Sequence, residues 1–158
     1  MGAEPAVLHE YRHLLRTASA DWQETAHRHA LWALGADLRA DVLTGLQTLL
    51  LAGTRLCPDD VHALARLIVL AERRRPRLVL DGLPPEVLEP LATAVVGSPT
   101  GQMLRAGIDV WDGAEPPPPR EDRPEVDHHE RWHEQRATPG FDEAWFLPGK
   151  APRGRGRR

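Results

Sequence analysis

A chain of 158 residues, 41% hydrophobic and 27% charged, suits one compact domain accompanied by some unpacked chain. A single thiol, Cys57, excludes an internal disulfide framework, and a formal charge of −3 excludes a surface built throughout to coat nucleic acid. The start, Met1-Gly-Ala-Glu-Pro, lacks the basic-then-apolar order of a signal peptide, and no uninterrupted apolar stretch of about 18 residues is present, so a cytoplasmic protein without membrane contact is expected.

The first fifty residues read as helix. Val7, Tyr11, Leu14, Leu15, Ala18, Trp22 and Thr25 recur at spacings of three and four, the signature of one face of a 3.6-residue period. The next apolar set, Leu31, Leu34, Leu38, Val42, Leu46 and Leu49, falls on a different side. Two helices over 5–28 and 30–52, or one helix kinked between His27 and Gly35, account for the shift, with Gly53 as the stop.

Pro58-Asp59-Asp60 predicts a helix start, because an aspartate accepts hydrogen bonds from the free amides of a first turn. Val61 to Ala71 is apolar on nearly every side, which predicts a helix at the centre of the core. Arg73-Arg74-Arg75 before Pro76 ends it, where positive charge suits the helix dipole. Leu78-Val79-Leu80 is expected to be extended. Pro84-Pro85 opens a helix to Val96, closed by Gly97 and with Pro90 inside it. Ser98-Pro99 caps a short helix to about residue 106, and Ile108 to Trp111 reads as a second short strand.

Four consecutive prolines, Pro116 to Pro119, mark the domain boundary, since such a run is stiff, hydrated and unable to pack as helix or sheet. The fold class expected is mainly α: a small bundle of about four to five helices over 1–112 with at most two short strands. Residues 113–158 are expected to form a flexible arm of Pro-rich charged linker, one short helix over about 126–136, and a basic tail. Phe141, Trp145 and Phe146 stand in polar surroundings, and aromatic rings are costly to leave in water, so they are expected to dock on a surface.

One chemical motif occurs twice. His9-Glu10-Tyr11-Arg12-His13 and His129-Glu130-Arg131-Trp132-His133 both spell H-E-x-x-H. Residues four apart share a helix face, so two imidazoles can hold one zinc while the glutamate takes a proton from the metal-bound water. Both stretches resemble the zincins, the zinc-dependent metallopeptidases, over these five residues. The resemblance implies His9 and His13, or His129 and His133, as metal ligands and Glu10 or Glu130 as the base. Measured against the stripe of Val7, Tyr11 and Leu14, however, His9 and His13 are expected to face water.

Arginines form two further clusters. Arg73, Arg74, Arg75 and Arg77, together with Arg153, Arg155, Arg157 and Arg158 in the tail, are candidates for nucleic-acid contact, since guanidinium pairs with phosphate bidentately. No helix-turn-helix or zinc-finger spacing accompanies them. The five tryptophans are expected to be packing residues. The leading expectation is an accessory or regulatory protein acting through a protein partner or a second copy, without a cofactor. A zinc hydrolase and a nucleic-acid-associated protein are the alternatives.

Overall fold

A computed structural model describes residues 2–116. They form seven α-helices and one 3-10 turn, with no strand among the described residues. The helices are α1 (Ala6–Thr17), α2 (Ala20–Ala33), α3 (Ala36–Leu50), α4 (Val61–Arg74), α5 (Leu78–Gly82), α6 (Pro85–Gly97) and α7 (Pro99–Met103), and the 3-10 turn spans Ile108–Val110. The expected helical domain is therefore observed, with more and shorter helices than the periodicity suggested. The segment beyond Pro116, with the expected short helix, the aromatic cluster and the basic tail, lies outside the described residues.

The first two breaks come earlier and later than expected. Ala18 and Ser19 are extended between α1 and α2, and the freed carbonyls there are taken up by one buried side chain. Gln23 Nε2 donates to the Leu15 carbonyl at 2.9 Å and to the Ala18 carbonyl at 2.8 Å. An amide reaching back from the next helix thus supplies what continuing the helix would have supplied. The second break falls at Leu34–Gly35, where Arg39 Nη1 donates to the Leu34 carbonyl at 2.7 Å. Trp22 and Trp32 on α2 are 49% and 60% exposed rather than packed.

The helix starts were better marked. α4 begins at Val61 as Pro58-Asp59-Asp60 predicts, though the Asp60 carboxylate accepts from the Cys57 amide (2.7 Å) and not from the first turn. It buries Val61, Leu64, Ala65 and Ile68 but exposes Leu70, so it is two-faced rather than enclosed on all sides. α6 follows Pro84 and carries Pro90 within it, and Ser98 caps α7 by accepting from the Gly101 amide at 3.0 Å.

Both expected strands are helical turns instead. Glu72, buried at the end of α4, accepts from the amides of Val79 (2.7 Å) and Leu80 (3.1 Å) through Oε1, and from that of Arg77 (3.0 Å) through Oε2. A carboxylate at the start of α5 satisfies its free donors and complements its dipole, which selects helix over extension for Leu78-Val79-Leu80. Ile108–Val110 tightens into 3-10 geometry after Gly107, whose φ of 84° belongs to the left-handed region.

One continuous apolar core joins these elements. α2 packs on both α4 and α6, and α1 packs on α6. Tyr11, Leu14, Leu31, Leu46, Leu64, Ile68 and Leu91 are its largest apolar members. Among the described residues no helix is long and apolar enough to cross a membrane.

Candidate functional site: an arginine clamp at the foot of the first helix

The H-E-x-x-H of α1 is folded onto the chain that follows the 3-10 turn. Trp111 lies against both imidazoles, with ring centroids 5.1 Å from His9 and 5.3 Å from His13. Arg12, the residue between them on the helix, places its guanidinium carbon 4.9 Å from the Trp111 ring centroid, a cation-π contact. The expectation that both histidines face water is corrected here: His13 is buried, and His9 half-buried, because Trp111 covers the face the stripe left open. Burial, with His9 nearby, holds the His13 imidazole below the usual histidine range. Its Nδ1 is enclosed without a hydrogen-bond partner among the described residues.

Glu10 is turned elsewhere, to Arg105 Nη2 at 3.1 Å. Among the described residues no three His, Cys, Asp or Glu side chains gather closely enough to hold a metal ion. His129 and His133, the other candidate zinc ligands, lie outside the described residues, as do Phe141, Trp145, Phe146, Arg153, Arg155, Arg157 and Arg158.

Past Trp111 the chain runs along α1 and is gripped by arginines. Arg12 Nη1 donates to the Gly113 carbonyl at 2.8 Å and to Glu115 Oε1 at 3.1 Å. Arg16 Nε donates to Glu115 Oε2, and Arg77 Nη1 lies 3.4 Å from Glu115 Oε1. Both carboxylate oxygens of one glutamate are thus met by three guanidiniums, two spaced one turn apart on α1 and the third from the junction of α4 and α5. Charge-assisted bonds of this kind are the strong members of the hydrogen-bond class.

Each arginine also has a carboxylate of its own. Arg12 donates to Glu4 through Nε (3.2 Å) and Nη2 (2.9 Å). Arg16 meets Glu72 Oε2 through Nη1 (3.2 Å) and Nη2 (3.3 Å), and Arg77 meets Asp81 through Nε (3.0 Å) and Nη2 (2.8 Å). Hydrogen bonding to Glu4 raises Arg12, and hydrogen bonding to Asp81 raises Arg77, above the ordinary guanidinium range. Arg16 is only 7% exposed, with the Glu72 and Glu115 carboxylates on either side of it. Beside the clamp opens a cleft of about 390 Å³ bounded by Leu15, Arg16, Arg73, Pro76, Trp111 and Glu115.

Arg73, Arg74 and Arg75 are exposed at the end of α4, and their side chains make no hydrogen bond or ion pair with the described residues. The structure therefore separates the fourth member of that sequence cluster from the rest, since Arg77 is engaged in the clamp. Arg12, Arg16, Glu72 and Glu115 were not singled out from the sequence. The only local signal was Arg12 and Arg16 one turn apart, because Glu115 lies about a hundred residues away.

A second buried pair lies deeper. Tyr11 and His27 meet with Oη 2.8 Å from Nε2, and His27 Nδ1 is 2.7 Å from the Gln23 carbonyl oxygen. A carbonyl only accepts, so Nδ1 carries the proton and Nε2 accepts from the Tyr11 hydroxyl. Burial pushes the His27 pKa down to about 4, and burial followed by the Glu72 charge pushes the Tyr11 phenol far up. Both side chains are thus held neutral at physiological pH, joining α1 to α2.

Comparison with known proteins finds no matching family model, and no curated protein or solved structure similar to this chain.

Proposed function

We propose that this chain is a small cytoplasmic accessory or regulatory protein acting through protein-protein contacts, with the helical domain as the mount for the segment beyond Pro116. One observation carries the reading: residues 111–116 are fixed to the domain at two points. Trp111 sits against His9 and His13, and Glu115 is held by Arg12, Arg16 and Arg77. Ordering a stretch of chain costs roughly 1–2 kcal/mol of backbone entropy per residue. The contacts that offset this cost are made by Trp111 and Glu115. Removal of 117–158 tests this. The truncated protein keeps its helical circular dichroism and loses partner capture and self-association. Capture and solution mass equal to those of the full chain would contradict the proposal.

A second reading rests on the exposure of Arg73, Arg74 and Arg75. If they serve nucleic acid, affinity for duplex DNA falls steeply with salt, and the logarithmic slope shrinks by roughly 0.9 for each phosphate-contacting arginine replaced. A slope unchanged in the triple alanine variant would dispose of it.

A further inference from the structure

We infer that the clamp is a binding site for an acidic segment of a partner protein, and that Glu115 occupies it in cis as a latch. The inference deepens the contact-based reading and rests on it. Three features of the site support it: how it is built, how firmly Glu115 is held, and what lies beside it.

The site is preorganised without Glu115. Arg12, Arg16 and Arg77 are each oriented by a separate carboxylate, Glu4, Glu72 and Asp81. Glu72 in turn is fixed by three backbone amides and is itself fully buried. Each arginine thereby keeps a donor directed at one common point. Holding donors in place before a ligand arrives removes the ordering cost that makes most polar contacts weak.

Glu115 is the replaceable member. With it the cluster contains four carboxylates, Glu4, Glu72, Asp81 and Glu115, against three guanidiniums. Glu4, Glu72 and Asp81 already match the arginine charge, so Glu115 is retained by directional hydrogen bonds and by its tether, not by a surplus of positive charge. A short tether supplies an effective concentration in the millimolar range. A ligand that places a carboxylate at the same point and more negative charge beside it competes on favourable terms. Arg73 stands on the rim of the open cleft to receive that charge.

The latch also shows the form of the ligand. Trp111 and Glu115 are four residues apart on an irregular segment that turns at Gly113 (φ 75°), with the ring against His9, His13 and Arg12 and the carboxylate on the arginines. The partner segment therefore carries an aromatic residue followed four positions later by an acidic one, with a residue between them that can turn as Gly113 does. Charge pairing and aromatic anchoring together are the means by which short segments are read with specificity.

The probe is a fluorescent peptide with the sequence of residues 110–119, titrated against the full chain and followed by polarisation. The peptide binds the Glu115→Ala chain at least tenfold more tightly than the wild type, where the latch competes. A peptide with glutamine in place of its glutamate loses at least tenfold on the same Glu115→Ala protein. That comparison changes only the ligand and holds whatever a protein variant does to stability. Adding Arg77→Gln to the Glu115→Ala chain weakens binding similarly. Equal affinity for wild type and Glu115→Ala, or for the two peptides, overturns the inference. So does a concentration-dependent dimer of the wild-type chain that Glu115→Ala abolishes, since that would assign the clamp to a second copy. Loss of peptide binding with capture by 117–158 intact would sink this inference and leave the contact-based reading standing.

Discussion

His27 and Tyr11 illustrate how a residue that looks chemical in a sequence becomes structural in a fold. A histidine at full burial has no water to solvate a positive charge, and its one acceptor nitrogen is engaged by the Tyr11 hydroxyl. Its folded pKa of about 4 lies below the ordinary value of 6.5. Between these two values the unfolded chain binds the proton more readily, so the stability from neutral His27 is complete above about pH 6.5 and is lost as pH falls toward 4. The loss amounts to about 3 kcal/mol over that window, and the lowered His13 acts with the same sign. Urea unfolding at a series of pH values measures it. The fall in stability between pH 6.5 and 4 is shallower in His27→Gln than in wild type, and superimposable profiles would show that His27 is not buried neutral. Arg12 is the counterpart: it lies inside an H-E-x-x-H, and in the fold it joins Trp111, Glu4, Gly113 and Glu115.

Helix boundaries set by local chemistry were legible, and those set by distant partners were not. Proline and serine or aspartate before an apolar run located the starts of α4, α6 and α7 to within a residue or two. The break after α1 depends on the Gln23 amide, and the helical turn at Leu78 depends on the Glu72 carboxylate. A glutamine or glutamate elsewhere in the sequence would read identically. The clamp was illegible for the same reason, since its central carboxylate comes from the far end of the described chain. The junction of α6 and α7 is the tightest of these boundaries. A Cβ at Gly101 would run into the Val95 carbonyl oxygen and lie 2.8 Å from that of Val96. Backbone cannot yield there as a flexible side chain would, so Gly101→Ala is expected to cost about 3 kcal/mol, visible as a lower urea midpoint. A midpoint equal to wild type would mean that α7 does not close on α6 in this way.

At the scale of the molecule, the interior of the described residues is devoted to stability. The core residues from α1 to α6 form one apolar cluster, and among the buried polar groups His27, Gln23 and Glu72 serve helix ends and helix pairs. The exposed chemistry comprises Trp22 and Trp32 on α2, the arginines ending α4, and the clamped strap at 111–116. Composition and periodicity conveyed the helical class of this body because both follow from burial alone. What it does was less legible, because among the described residues no reactive spacing read from the sequence is gathered into a metal site.

The most direct measurement places a photo-crosslinking amino acid at Trp145 in the full chain, inside cells, with the same group at exposed Leu51 for comparison. A discrete crosslink to another protein at position 145, absent at 51, is the outcome expected of a chain that works by contact. Equal and diffuse labelling at both positions would contradict it.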